Sequence, residues 1–336
     1  MQSISASTQR ALSHFVPQDG ITSIAALGNA GGFSGAQLWR LTIGGEEWCL
    51  RRWPQEHPSE KQLDWIHRVL FHAAENGISF LPLPYRIENK KSHCKVDDFF
   101  WELSPWMVGK ADFWDDPSED RLTAALKALA TFHQATTRFT PQQVKPAPGI
   151  IAREKQLQQW KRLLLNPNLA SQVSPDSRFA SQASEIISLM PSVVPRCEKW
   201  LYEIPKSSNL QPCLRDIWHD HVLFHDSQVS AFVDFGALRI DSVAVDLARL
   251  LGSLVGDAPD RWQLGLQAYQ EVHPIAEEDQ AKLAAIDLAN SVLSAANWIR
   301  WIYVEHRQFE NGQAVQARLD QILRRLRFQS KSPFAI

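Results

Sequence analysis

The amino-acid sequence predicts an α+β chain of two lobes: a β-rich N-lobe with one main helix, and a mainly helical C-lobe containing a β-hairpin. Three observations carry this reading. The 336 residues exceed what one hydrophobic core usually organises. Apolar alternation broken by glycines and turn residues dominates the chain before Gly109. From Pro117 onward apolar residues recur at helical spacing, except between Cys213 and Asp241, where short apolar runs return. The expected division is 1–104 for the N-lobe, 105–112 for a hinge and 113–336 for the C-lobe.

Taken in order, Ser7 to Phe15 reads as a helix that ends at the turn residues Pro17-Gln18-Asp19-Gly20. Ile21 to Leu27, Ala36 to Ile43 and Glu46 to Trp53 alternate as strands, the last two joined by Gly44-Gly45 as a hairpin. Pro58-Ser59-Glu60 starts a helix whose apolar face is Leu63, Ile66, Leu70 and Ala74, closed by Gly77. Pro82-Leu83-Pro84 begins an extended segment, and Phe99 to Met107 is the last strand-like piece. Arg121 to Thr136, Ala152 to Leu165, Ala180 to Met190 and Val194 to Tyr202 read as helices. Helices resume at Val243 and run to about Phe328, with Pro259, Pro274 and Gly312 as breaks. The 13 tryptophans are expected mostly to fill a helical core.

Composition narrows the classes. The formal net charge of −2 gives no general attraction to nucleic acid or to an anionic membrane. No uncharged apolar stretch approaches the roughly 18 residues of a membrane span, and the N-terminus carries no export signal. Cys49, Cys94, Cys197 and Cys213 are scattered, which suits buried thiols in a reducing, cytoplasmic compartment. No nucleic-acid or membrane partner is expected, and the oligomeric state is not legible.

The chemistry concentrates in Leu214-Arg215-Asp216-Ile217-Trp218-His219-Asp220-His221-Val222-Leu223-Phe224, followed by Phe232-Val233-Asp234-Phe235-Gly236. A hairpin here brings Asp216, His221 and Asp234 to one end of a sheet. Buried acids beside an imidazole are costly unless neutralised, and a divalent cation is the usual solution. Upstream, Gly28-Asn29-Ala30-Gly31-Gly32-Phe33-Ser34-Gly35 is a glycine loop between strands, where backbone N–H groups can approach phosphate. His219-Asp220-His221 also gathers metal-ligand types, which keeps a metal-dependent hydrolase as an alternative.

These motifs, in this order, resemble the aminoglycoside phosphotransferase and choline kinase family, which has the protein-kinase-like fold. Laid on the family's H-x-D-x-x-x-x-N loop, Asp216 falls on the catalytic aspartate and His221 on the metal-binding asparagine. Asp234-Phe235-Gly236 falls on the second metal motif, Asp246-Leu247-Ala248 on the structural D-L-A, and Leu129 to His133 on the L-A-x-x-H helix. Arg51, after Leu50, stands where the family has a phosphate lysine; Arg52 should face the other way. Glu60, Asp64 and His67 compete as its partner from the N-lobe helix. The loop's first histidine is Leu214.

The resemblance implies a kinase that uses ATP and Mg2+ to phosphorylate a hydroxyl of a small molecule. Gly31, Gly32 and Ser34 would cover the phosphates, Arg51 would grip them, and Asp234 with His221 would hold Mg2+. Asp216 would take the acceptor proton, and Ser104 to Gly109, with Trp106 and Met107, would flank adenine. Asp112, Asp115, Asp116, Glu119 and Asp120 either attract a cationic acceptor or start a helix. A nucleotide-binding regulator with impaired catalysis is the second alternative.

Overall fold

The computed structural model describes residues 4–16, 20–28, 35–87, 91–141, 143–166, 179–309 and 311–331. In chain order the first elements are α1 (Ala6–Ser13), β1 (Ile21–Gly28), β2 (Gln37–Ile43), β3 (Glu46–Arg52), α2 (Glu60–Glu75), β4 (Cys94–Val96) and β5 (Phe99–Pro105). Next come α3 (Glu119–Thr136), β6 (Val144–Pro146), α4 (Pro148–Leu164), α5 (Ala180–Glu203), β7 (Ser207–Asn209) and β8 (Gln211–Cys213). A short 3₁₀ turn, His219–His221, precedes β9 (Val222–His225), β10 (Gln228–Phe232) and β11 (Arg239–Asp241). The last helices are α6 (Val243–Val255), α7 (Pro259–Gln270), α8 (Glu277–Gln280), α9 (Leu283–Ile299), continued by a π-helical turn, and α10 (Gly312–Lys331).

Contacts group these elements into two compact units, Met1–Asp112 with Asp220–Leu238, and Phe113–His219 with Arg239–Ile336. The β9–β10 hairpin therefore joins the N-terminal sheet unit, whereas chain order alone assigned it to 113–336. Its ties are specific: Lys110 and Phe224 exchange both backbone hydrogen bonds at 2.9 Å, and Phe232 N donates to Phe80 O at 3.0 Å. Gly109 makes the first tie possible. Its φ is +123°, and a Cβ there would stand 2.2 Å from Ser230 Oγ.

The first unit is built on an antiparallel sheet of order β1-β2-β3-β5-β4. Alternation buries Trp39, Leu41, Leu50, Trp101 and Leu103 with Ala11, Leu12 and Phe15 from α1. Trp39 and Trp101 stack at 5.3 Å, so some tryptophans expected in a helical core pack in the sheet unit instead.

The second unit is helical, and its largest core joins α4, α5, α9 and α10 through residues such as Met190, Val194, Leu293 and Leu323. Helix α5 runs unbroken through Pro191 and Pro195, where the sequence suggested two helices. An internal proline costs about 3 kcal/mol. Here Ile187, Met190, Val193, Val194, Cys197 and Leu201 form one buried stripe across both prolines, and that burial offsets the loss. Pro259 sits at the first turn of α7, where a missing N–H is harmless.

All four cysteines are free, and burial pushes Cys49 up to about 11 and Cys94 and Cys197 to about 12. Among the described residues no helix is long and apolar enough to cross a membrane.

His273, just past α7, lies 5.9 Å from the Tyr269 ring and 6.5 Å from that of His133. Burial, then His133, lowers its pKa from an ordinary 6.5 to about 4. The unfolded chain thus takes up this proton first, and stability is lost as pH falls from about 6.5 towards 4. His273→Gln is expected to reduce the loss between pH 7 and 4.5 by roughly 1–2 kcal/mol, allowing for partial solvent exposure. Urea midpoints at the two pH values check this; equal slopes for both proteins would refute it.

Candidate active site

In the sheet unit, strand register assembles a line of polar groups from distant parts of the chain. Arg51 on β3 pairs in register with Glu102 on β5, and its Nε lies 3.8 Å from Glu102 Oε1. Arg51 Nη1 donates to Asp234 Oδ1 at 3.0 Å. Glu102 Oε2 meets His67 Nε2 at 2.9 Å and accepts from Trp53 Nε1 at 3.0 Å, while His67 Nδ1 reaches Ser92 Oγ at 2.7 Å. Arg52 turns to the other face, its guanidinium 4.3 Å from the centre of the Phe99 ring. Of the three α2 candidates, His67 is engaged, but through Glu102 rather than with Arg51 directly. Lys91 pairs with Glu60 and His93 with Asp64.

Electrostatics favour the charged forms of Asp234, Glu102 and Arg51. Burial favours neutral Asp234, but Arg51 and then His221 outweigh it and hold the carboxyl below its ordinary range. Glu102 is likewise buried, yet His67, Arg51 and Trp53 hold its carboxyl low. Burial also opposes the Arg51 charge; Asp234 and Glu102 overcome it and push the guanidinium upward.

Asp234 has φ +63°, a left-handed conformation that costs a non-glycine residue energy and clusters at functional sites. Two residues on, Gly236 passes so near Trp53 that a Cβ would stand 2.9 Å from Cζ3. His221 Nε2 is 3.7 Å from Asp234 Oδ2. Two donors about 2.1 Å from one ion stand roughly 3–4 Å apart, so this spacing fits a shared divalent cation. One carboxylate oxygen and one imidazole nitrogen suit an ion completed by phosphate oxygens and water.

Past β5, Trp106 N donates to Glu47 O at 2.9 Å, so that amide is committed to the sheet. Arg40 lies over the Trp106 ring at 4.8 Å, and both Trp106 and Met107 are half-buried. Gly31, Gly32 and Ser34 lie outside the described residues.

In the helical unit, the loop bearing Asp216 is pinned from below. Asp246, fully buried on α6, accepts from Leu214 N at 2.7 Å on Oδ2 and from Arg215 N at 2.6 Å on Oδ1. His133 on α3 binds the same carboxylate through Nε2 at 3.0 Å, and its Nδ1 meets Tyr269 Oη at 2.7 Å. Arg215 is held at φ +65°, its Nε 3.1 Å from Asp241 Oδ2. Asp216 meets Arg249, whose Nε and Nη2 donate to Oδ1 at 3.1 and 2.9 Å.

His219 is buried, stacked on Trp114 at 3.6 Å, with Nδ1 2.7 Å from Ser253 Oγ. Among the described residues the ligand-type clusters are His133, Cys213 and Asp246, and Glu60, Asp64 and His93. Neither includes His219.

Two residues escaped the sequence reading. Glu102 interrupts the apolar run Phe99-Phe100-Trp101-Glu102-Leu103, and a lone acid in a buried strand is the signal that was available. Arg249 is a lone cation within apolar helix α6, three residues after Asp246.

The fold has solved relatives. An aminoglycoside phosphotransferase from Alicyclobacillus acidocaldarius subsp. acidocaldarius DSM 446 is similar at 18% identity and TM-score 0.60, over 98% of both chains. A spectinomycin phosphotransferase in complex with ADP and spectinomycin is similar at 12% identity and TM-score 0.64, over 93% of this chain and 94% of that one. A microcompartment-associated aminopropanol kinase is similar at 14% identity and TM-score 0.63, over 98% of both chains. No curated protein matches the chain. The phosphotransferase enzyme family model matches residues 26–286. With Asp246 pinning the Asp216 loop and Arg51 joined to Asp234 inside a protein-kinase-like fold, that match is decisive: the chain belongs to the phosphotransferase enzyme family.

Proposed function

We propose that the protein transfers the γ-phosphate of ATP to a hydroxyl of a small molecule, with Mg2+ as the metal. The observation that carries this is the Arg51–Asp234 contact at 3.0 Å, made by residues 183 positions apart. It joins a permanent cation suited to phosphate oxygens and an acid suited to a metal, both kept ionised by their surroundings. The ADP-bound spectinomycin phosphotransferase of the same fold supports nucleotide use.

In this reading Arg51 grips phosphate oxygens, Gly31, Gly32 and Ser34 cover them, and Trp106 and Met107 flank adenine. Glu102 and His67 position Arg51. A divalent cation held by Asp234 and His221 supplies charge neutralisation to the phosphates. Asp216 orients the acceptor hydroxyl. As the acceptor oxygen bonds to the γ-phosphorus, the bond to the β-γ bridging oxygen breaks, ADP leaves, and the hydroxyl proton passes to the Asp216 carboxylate. The 113–219 and 239–336 helices supply the acceptor pocket.

Calorimetric titration with ATP, with and without Mg2+, tests this against Asp234→Ala. The variant should bind MgATP at least tenfold more weakly. Without Mg2+ its affinity should hold or rise, because Arg51 loses its competing carboxylate. Metal-independent binding that the variant leaves unchanged would favour a nucleotide-binding regulator. No binding at all would sink the nucleotide reading.

A further inference from the structure

Helix α6 grips the Asp216 loop from a single face. Asp246, Arg249 and Ser253 are spaced i, i+3 and i+7, which aligns them in one stripe two turns long. Each meets a different part of residues 214–219. Asp246 takes the amides of Leu214 and Arg215. Ser253 Oγ accepts from His219 N at 3.1 Å and lies 2.7 Å from His219 Nδ1. Between them, Arg249 donates to the Asp216 side chain from Nε at 3.1 Å and from Nη2 at 2.9 Å.

Both donors converge on Oδ1. A carboxylate anchored through one oxygen by two charge-assisted bonds keeps little freedom about its last torsion, so this contact sets the way the group is turned. The guanidinium is held in its turn. The Trp218 ring, two residues after Asp216 in the same loop, lies 5.7 Å from it. The Arg249 side chain is only 21% exposed, on a helix that buries Leu247, Leu250, Leu251 and Leu254. A cation so placed needs a partner, and the partner here is the acid assigned to receive the acceptor proton.

Arg249 also lines an open pocket enclosed by α6, α9 and α10, together with Asp287, Asn290, Ser294 and Arg318. Asp287 is engaged by Arg325 and by Gln329 Nε2 at 3.2 Å, so the hydrogen bonds of Arg249 go to Asp216 instead.

We propose, resting on the phosphotransferase reading, that Arg249 is a positioning residue for phosphoryl transfer: it fixes the Asp216 carboxylate in the orientation that receives the acceptor proton, and it acts on the reaction only through Asp216. The stripe divides the task. Asp246 and Ser253 set where the loop lies, and Arg249 sets how its carboxylate faces.

The test uses MgATP with water as the acceptor, followed by ADP release. Arg249→Gln removes the charge and the fork of donors, and turnover at saturating ATP should fall about 10–100-fold while KM for ATP and melting temperature hold. Arg249→Lys should recover part of the rate. Arg249→Ala vacates a place beside the open pocket, where guanidinium chloride at a non-denaturing concentration should restore part of the turnover. In an Asp216→Asn background Arg249→Gln should change the rate by less than about twofold, because nothing is left to position. A readout free of turnover is the solvent exchange of Arg249 Nε–H, followed by NMR with isotope-labelled arginine and assigned by its loss in Arg249→Lys. It should quicken at least tenfold in Asp216→Ala. An unchanged exchange rate overturns the proposal, as does turnover in Arg249→Gln that equals or exceeds that of the unaltered protein. A rate loss that tracks a lower melting temperature and adds in full to that of Asp216→Asn marks a merely structural role and overturns it too. Should MgATP fail to bind, the phosphotransferase reading falls first, and the exchange rate still decides whether Arg249 holds Asp216.

Discussion

Asp216→Asn is expected to lower phosphoryl transfer by about 10²–10⁴-fold while ATP affinity stays within about twofold. Asparagine keeps an oxygen in place for Arg249, so the loop geometry survives, but an amide cannot accept the acceptor proton at neutral pH. The groups assigned to the nucleotide, Arg51 and Asp234, make contacts with Glu102, His221 and each other. Single-turnover rates at saturating ATP and acceptor measure the first quantity, and calorimetry the second. A turnover rate within tenfold of the unaltered protein would remove Asp216 from the role of base.

Asp246→Ala is expected to be strongly destabilising, costing about 3–5 kcal/mol. The carboxylate is fully buried and receives the amides of Leu214 and Arg215 as well as His133 Nε2. Alanine removes the acceptor from all three, and the Leu214 amide and His133 Nε2 lose it in the buried interior. Differential scanning calorimetry should show a melting temperature lower by roughly 10 °C. Asp246→Asn should recover part of the loss, because its carbonyl still accepts from one amide. A cost below about 1 kcal/mol would mean that the Asp216 loop is held from elsewhere.

The sequence made the helix that carries His133, the D-L-A at Asp246 and the loop at Asp216 legible, since each is a short pattern with its own spacing. The two kinds of secondary structure were legible too, because alternation and helical period differ before and after Pro117. What escaped was set by pairing between distant segments. Glu102 lies opposite Arg51 only because β3 and β5 pair in that register, which neither strand specifies by itself. Helix α5 runs through Pro191 and Pro195 because burial against α4, α9 and α10 outweighs the local preference to break. The pocket between α6, α9 and α10 was illegible for the same reason: Arg249, Asn290 and Arg318 belong to three separate helices, and only packing makes neighbours of them.

The N-terminal unit takes its last pieces, β9 and β10, from Asp220–Leu238, after Phe113–His219 has been spent on the other unit. On the ribosome this order has a cost. The five-stranded sheet can pair once β5 has emerged, and Arg51 then turns inward with Glu102 as its nearest acid. Asp234 is translated long afterwards, so through that interval the nascent sheet holds a guanidinium that its final counter-charge has yet to reach. A message truncated or stalled ahead of codon 220 would therefore yield a sheet of the right topology that lacks the edge contact at Lys110 and the Asp234 carboxylate. Such a fragment would leave the backbone groups of Lys110 and Phe80 without their partners from the hairpin, and incompletely paired sheets of this kind are prone to aggregate.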